Sequence, residues 1–440
     1  MNGNRMVKLL KPVIAAFLSV FMMLTIMVSA AGAEGHVDNA LGLKVSSAFL
    51  IDVETGQVLF EAEAEEALPP ASMSKMMTEY IVLQEIKSGR LNWTDTVTVG
   101  RNAATTTRQG SHVFLAEGDK HSVEELFIAM AVGSANDASI ALAEQIEGTE
   151  EAFAQRMNKT AKELGLETAH YINATGLSRS DMSPEYQPSS ISGETLMSAK
   201  DSALLAYHIL KEYDEEFLRF SSIPSYKFRE RDDKPMINYN WMLEGNKDIQ
   251  NFKDLAYEGL DGMKTGYTSQ AQYCFTGTAE RNGMRLVGVV MGADTQRGRF
   301  VEMEKLLDYG FNNFEKKTVV PPKTVVETIE TVKIKKGVKT EVPVVTQNDI
   351  SFLVQKGSTP QIELTESNIK DANELVAPIA AGTVVGNVTY KYTDADGNEL
   401  LRTVNLVTSE EAEKGSWWRL TFRAIKDFFA GLFDGIVNLF

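Results

Sequence analysis

Ser72 and Lys75 stand three residues apart in Ser72-Met73-Ser74-Lys75. They open a run to Lys87 that Met73, Met76, Met77, Tyr80, Ile81, Leu83 and Ile86 make apolar on most faces. At a spacing of i and i+3 on a helix the hydroxyl and the amine emerge on one face, so the amine can take the serine's proton and leave a nucleophile. The lysine must then be neutral part of the time, which burial and cationic neighbours arrange by lowering its pKa. The spacing alone is a weak signal, because Ser367-Asn368-Ile369-Lys370 repeats it in a segment without other chemistry. Two more groups follow: Ser134-Ala135-Asn136, in a short exposed turn between helices, and Lys264-Thr265-Gly266 on a strand. Singly, Ser134 reads as a helix cap, Asn136 as a turn residue and Lys264 as an exposed strand lysine. Jointly, three such groups in this order are hard to obtain by chance.

The elements that must position these groups are legible from periodicity. Ser46 to Asp52 and Gln57 to Glu61 read as strands around the turn Asp52-Val53-Glu54-Thr55-Gly56. The run from Ser72 to Lys87 reads as a buried helix, and Ser122-Val123-Glu124-Glu125 as a capping box opening a helix to about Val132. Further helices are expected from Ala135 to Ile146, about Glu151 to Leu164 and Met197 to Leu210, with a polar insertion between Gly176 and Thr195. The pattern then changes to strands at Gly262 to Thr265, Tyr273 to Ala279 and Met284 to Gly292, the last two joined by a tight Arg281-Asn282-Gly283 hairpin. A helix from Val301 to Phe314 closes this part. Strands, then a helical block, then strands and a helix predict one α/β (α+β) unit whose antiparallel sheet combines both ends of the segment.

From Thr318 to Val407 short Val, Ile and Thr-rich runs divided by turns such as Lys336-Gly337 and 394–398 predict a separate small β-sandwich. The basic segment Lys333 to Lys339 reads as a lysine-guarded hairpin edge. The expected organisation is residues 1–33 as a signal peptide, 34–316 as the catalytic domain, 317–410 as the β-sandwich and 411–440 as a terminal amphipathic helix. The first segment follows from Arg5, Lys8 and Lys11 before an apolar run from Val13 to Val28, with Ala31-Gly32-Ala33 as a cleavage site. The last follows from Trp418, Phe422, Ile425, Phe428 or Phe429, Leu432, Ile436 and Phe440, a helical stripe with aromatic ends. Arg419, Arg423, Lys426, Asp427 and Asp434 lie mostly off the stripe, so the segment should lie in a membrane interface rather than cross it. An exported protein at the outer membrane face is the expectation.

The chain has 440 residues, 43% of them hydrophobic, and a formal net charge of -16, which argues against nucleic acid as a partner. Its one cysteine, Cys274, cannot form an intrachain disulfide and reads as a small buried hydrophobe on a strand. None of the five histidines has metal-ligand spacing or lies beside a nucleophile elbow, and no metal or organic cofactor is implied.

The ordered motifs resemble those of the penicillin-recognising serine enzymes, most closely the low-molecular-mass D,D-carboxypeptidases of the penicillin-binding protein 5 (peptidase S11) family. The resemblance covers about Ser46 to Phe440. It extends to Pro70-Ala71-Ser72-Met73-Ser74-Lys75-Met76-Met77-Thr78, Asn173-Ala174-Thr175-Gly176-Leu177 and Asp261-Gly262-Met263-Lys264-Thr265-Gly266. It implies a serine β-lactamase/transpeptidase-like catalytic domain that removes the last D-alanine from peptidoglycan pentapeptides and is inhibited by β-lactams. Ser72 would be the acylated nucleophile, Lys75 its base, and Ser134 the relay to the leaving D-alanine. Asn136 would orient the substrate amide, and Lys264 and Thr265 bind the terminal carboxylate. Gly266 would leave room for a substrate backbone lying along the strand, and Arg299 would add attraction for the carboxylate. The N–H groups of Ser72 and Tyr267 would form the oxyanion hole. Ala135, Tyr267 and Gln272 depart from frequent family residues, at the rim of the site. A β-lactamase would share the acylation motifs, but its Glu-x-x-Leu-Asn motif is missing. A D,D-endopeptidase or a non-catalytic wall-binding protein are the remaining alternatives.

Overall fold

The computed structural model describes residues 39–437 apart from 107–109, 360, 394–396 and 398. The expected signal segment, the residues of the turn at 394–398 other than Gly397, and residues 438–440 of the terminal segment lie outside them.

The chain opens with β1 (Ser47–Asp52) and β2 (Val58–Ala62), and a 3-10 turn, Ala71–Ser74, leads into α1 (Lys75–Lys87). A short hairpin of β3 (Thr96–Thr98) and β4 (Lys120–Ser122) brackets α2 (Arg101–Thr105). The helical block continues with α3 (Val123–Gly133), α4 (Asn136–Glu147), α5 (Glu150–Glu163) and α6 (Ala199–Ser221). The expected capping box is present: Ser122 Oγ accepts from Glu125 N at 3.1 Å, and Glu125 Oε2 accepts from Ser122 N at 2.9 Å. α6 runs eleven residues past its expected end at Leu210, bending at Tyr213, because Phe217 and Phe220 keep its inner face apolar.

After a two-residue ladder of β5 (Ser225–Tyr226) and β6 (Met236–Ile237) come β7 (Leu260–Thr268), β8 (Gln272–Arg281) and β9 (Met284–Ala293). Asn282 and Gly283 both take positive φ between β8 and β9, the backbone a two-residue hairpin turn needs. The order β2-β1-β9-β8-β7 is antiparallel throughout, so the sheet joins both ends of the segment and leaves β7 at an edge. One face packs on the helical block through Phe49, Met73, Met263, Val287 and Val289. The other packs on α7 (Gly298–Asn313) through Leu50, Phe275, Leu286, Phe300 and Leu306. Alternation along the strands produces this, successive side chains entering opposite cores.

β10 (Phe314–Val320) follows directly and pairs with β13 (Ile350–Gln355). Facing them is the sheet β11-β12-β16-β15-β14, formed by β11 (Thr331–Lys333), β12 (Glu341–Thr346), β14 (Gln361–Ile369), β15 (Val384–Thr393) and β16 (Glu399–Thr408). Val342, Val344, Phe352, Val388 and Leu406 share its core, giving the small all-β sandwich expected of this stretch. Ser367-Asn368-Ile369-Lys370 lies in and beside β14 in extended conformation, so its serine and lysine share no helix face. α8 (Trp417–Val437) ends the described chain, and no helix among the described residues is long and apolar enough to cross a membrane.

Candidate active site

Ser72 sits inside the 3-10 turn and Lys75 begins α1, so the two cross the junction of two helix types while staying on one face. Lys75 Nζ lies 3.0 Å from Ser72 Oγ. It also donates to Asn136 Oδ1 at 2.7 Å and to the Thr175 carbonyl at 2.8 Å. The Asn136 and Thr175 acceptors match the two protons of a neutral amine and leave its lone pair toward Ser72 Oγ. The side chain is 0% exposed, and burial first, then the positive charge of Lys264, pushes its pKa well below the ordinary lysine value.

Ser134 comes from the turn between α3 and α4. An exposed turn is the expectation, yet Ser134 is only 5% exposed: it takes a left-handed conformation and meets Lys264 of the edge strand β7. Its Oγ accepts from Lys264 Nζ at 2.8 Å. Lys264, buried on β7, has its pKa lowered by burial, with the negative charge of Glu79 opposing and the positive charge of Arg299 reinforcing the shift. Asn136 starts α4, and its N–H donates to the Ser111 carbonyl at 2.8 Å, tying the turn to the loop that leads into β4. With its amide oxygen taken by Lys75, the Asn136 NH2 remains to donate to a substrate carbonyl.

β7 reaches the nucleophile through Gly266. A Cβ at this position would overlap the Pro70 carbonyl oxygen and lie 3.3 Å from Met73 N, so only glycine lets the strand edge meet the turn that carries Ser72. Thr265 is buried beside it. Tyr267, 52% exposed, stacks on Tyr273 with ring centroids 4.3 Å apart and forms part of the rim. Arg299, on α7, is 2% exposed and donates to the Gly266 carbonyl at 3.2 Å. It therefore holds the strand from behind, and its positive charge acts on Lys264 through the strand. Burial lowers its pKa to about 10. Cys274 is buried on β8 as expected, and burial raises its pKa to about 11.

Several supporting groups carried no role in the sequence reading. Asn173 Oδ1 accepts from Thr175 N at 3.0 Å and from Gly176 N at 2.7 Å, shaping the turn whose Thr175 carbonyl holds Lys75. Thr78 Oγ1, one turn after Lys75, donates to the Ala174 carbonyl at 2.8 Å. Glu150 accepts from Ala174 N at 3.1 Å and from Asn102 Nδ2 at 2.9 Å, and burial raises its pKa to about 6. The signal available was the asparagine at the head of Asn173-Ala174-Thr175-Gly176, a residue type that caps such turns. The polar insertion follows this turn and is pinned by Arg179, which donates to the carbonyls of Pro188 at 3.0 Å, Ile191 at 2.6 Å and Gly193 at 3.2 Å. Among the described residues no group of three or more His, Cys, Asp or Glu is arranged to hold a metal.

A serine touching a buried lysine, a second serine touching a second buried lysine, and an open strand edge beside them define an active-site-serine acyl-transfer enzyme on a penicillin-binding-protein fold. The family model for D-alanyl-D-alanine carboxypeptidases, Peptidase S11, matches residues 35–295, and that for the penicillin-binding protein 5 C-terminal domain matches residues 314–414. The D-alanyl-D-alanine carboxypeptidase DacF of Bacillus subtilis is 33% identical over 419 residues, covering 95% of this chain and 99% of its own. Among solved structures, the peptidoglycan synthesis regulatory factor (PBP3) of Streptococcus pneumoniae superposes with a TM-score of 0.73 at 29% identity, over 84% of this chain and 100% of that one. Penicillin binding protein 5 of Haemophilus influenzae gives 0.64 at 30% identity, over 84% and 98%. The chain belongs to the peptidase S11 family of serine-type D-alanyl-D-alanine carboxypeptidases.

Proposed function

We propose that this chain removes the C-terminal D-alanine from peptidoglycan pentapeptides through an acyl-enzyme on Ser72, and so limits the peptides available for cross-linking. The 3.0 Å contact between Lys75 Nζ and Ser72 Oγ carries this reading, because it joins a hydroxyl to an amine whose pKa burial has lowered. Neutral Lys75 takes the Ser72 proton as Oγ attacks the carbonyl carbon of the penultimate D-alanine. The N–H groups of Ser72 and Tyr267 receive the developing oxyanion, each such donor being worth roughly 3 kcal/mol. The proton passes through Ser134 to the leaving nitrogen, the C–N bond breaks and D-alanine departs. Water then hydrolyses the ester and restores Ser72.

Binding follows from the sheet edge. The substrate backbone adds to β7 as a further strand, its terminal carboxylate held by Lys264 and Thr265 with the charge of Arg299 behind them. Asn136 holds the scissile residue's amide, and Gly266 leaves room for the chain. A β-lactam offers the same carboxylate and a reactive amide, but its leaving nitrogen stays tethered, so it acylates Ser72 and blocks the site.

The proposed arrangement is a signal peptide over 1–33, a catalytic domain over 34–316, a β-sandwich over 317–410 and a membrane-surface helix over 411–440, at the extracytoplasmic face of a bacterial membrane. Trp417, Trp418, Phe422, Ile425, Phe428 and Phe429 are all exposed on α8, the face a lipid interface would cover.

The test incubates the purified protein with diacetyl-Lys-D-Ala-D-Ala and measures D-alanine. Release that vanishes in Ser72→Ala is the expected result. No release, while penicillin still acylates Ser72, would replace this reading with a cross-link endopeptidase or a penicillin-binding protein of narrower substrate range.

A further inference from the structure

Glu79 lies one turn beyond Lys75 on α1, is 1% exposed, and has no hydrogen-bond partner for either carboxyl oxygen among the described residues. A buried carboxyl without partners is costly unless it does something at that place. Among the described residues the two site lysines are hydrogen-bonded only to neutral acceptors. Lys75 bonds to Ser72 Oγ, Asn136 Oδ1 and the Thr175 carbonyl, and Lys264 to Ser134 Oγ and the Thr265 carbonyl.

The other carboxylates nearby have hydrogen-bond partners of their own, although Asp137 and Glu150 also favour the charged form of Lys75. Asp137 of α4 accepts from Val113 N and Leu115 N, and Glu150 of α5 from Asn102 and Ala174. On α6, Asp201 is bonded to Thr168 and Glu212 to Tyr80. On α3, Glu125 closes the capping box and Glu124 pairs with Arg219. Arg299 acts on Lys264 from behind β7 and disfavours its charged form. Glu79 is thus, among the described residues, the carboxyl that lacks a hydrogen-bond partner and acts on both Lys75 and Lys264.

We propose that Glu79 is a positioning residue for the reaction: its buried carboxylate is the counter-charge that keeps Lys264 cationic beside a neutral Lys75. The two lysines have opposite needs, since one must give up its proton to serve as base and the other must keep its proton to bind a carboxylate. Burial disfavours the charge on both. A single anion acts on both, with Lys264 as its strongest charged partner: it offsets burial at Lys264, while at Lys75 burial and the charge of Lys264 outweigh it. Burial also holds the Glu79 carboxyl above the ordinary carboxylate range, so its anion forms toward neutral pH.

The inference rests on the carboxypeptidase reading above, and penicillin acylation tests the two separately. Activity falls with rising pH as Lys264 loses its proton, so removing the anion moves that alkaline limb downward. In Glu79→Gln the limb of the second-order acylation rate should drop by roughly one pH unit. The plateau below the limb should stay within about threefold of the wild type, and Glu79→Asp should restore the limb part way. A uniform loss with an unmoved limb would assign Glu79 a merely structural role and overturn the inference. If Glu79→Gln does not fold, the alkaline limb of Glu79→Asp decides: a limb moved downward from the wild type supports the inference, and a limb left in place overturns it. Acylation that survives Ser72→Ala would instead sink the reading beneath.

Discussion

Lys264 Nζ stands 2.8 Å from Ser134 Oγ, a bond that closes the catalytic cleft by joining the edge strand of the sheet to the turn between α3 and α4. The two residues are separated by 130 positions in sequence. Each would be unremarked alone, a lysine on a strand and a serine in a turn. Their contact places a hydroxyl that can give and take a proton beside a cation that draws a carboxylate toward it.

Ser134→Ala should therefore slow both acylation by penicillin and release of D-alanine by about 10²- to 10⁴-fold, the usual contribution of a positioned proton-transfer group. Lys264 keeps its bond to the Thr265 carbonyl, so the thermal midpoint should move little. Stopped-flow labelling with a fluorescent penicillin beside a melting curve checks both parts. An unchanged labelling rate would remove Ser134 from the proton path.

Lys75 predicts a pH dependence. Its pKa is lowered in the folded protein, so the neutral amine that accepts the Ser72 proton already exists well below the ordinary lysine range, and labelling should rise with pH through an acid limb well under 10.5. Lys75→Arg keeps a cation that cannot give up its proton under these conditions. It should abolish labelling across the same range, and appreciable labelling by that variant would count against Lys75 as the base.

The turn that follows Asn173 should tolerate no side chain at Gly176. Its φ is +80°, and a Cβ would overlap both the Ala71 carbonyl oxygen and Ser74 Oγ, atoms of the 3-10 turn that carries Ser72. The left-handed conformation alone costs an alanine about 1–2 kcal/mol. Gly176→Ala should lower the melting temperature and slow labelling together, because relief of the clash moves the nucleophile. A variant that melts lower but labels at the wild-type rate would show that the turn adjusts without disturbing Ser72.

Most of the frame was legible because apolar spacing and caps are local. The capping box at Ser122, the Asn282-Gly283 hairpin and the buried α1 follow from residues within a few positions of one another. The groups Ser72, Lys75, Ser134, Asn136 and Lys264 were singled out from type and order, and the fold brings them within hydrogen-bond reach. What was not legible depends on distant packing. The burial of Ser134 is set by β7, the unpartnered state of Glu79 by what surrounds α1, and the place of Arg299 behind the strand by how α7 lies on the sheet. The long α6 was cut short for a related reason: a polar stretch, Lys211 to Glu216, interrupts its apolar pattern although Phe217 and Phe220 resume it.

The terminal helix gives the last prediction. Arg423 ties it to the β-sandwich by donating to the Gly337 carbonyl at 3.1 Å and the Val338 carbonyl at 3.2 Å. This bond fixes the early turns of α8 beside the basic hairpin of Lys333 to Lys339 while its aromatic residues stay exposed. A contiguous exposed set of two tryptophans and three phenylalanines needs a cover, and cations alongside it suit an anionic surface. Burying one phenylalanine contributes on the order of 1.5–3 kcal/mol, enough for at least tenfold in partitioning. Phe422→Asp with Phe428→Asp, in protein purified from residue 34 onward, should therefore lose most of its binding to phosphatidylglycerol vesicles while D-alanine release in solution stays unchanged. Vesicle binding that survives both changes would assign the surface contact to another part of the molecule; binding lost together with solution activity would mean that α8 supports the fold rather than a membrane contact.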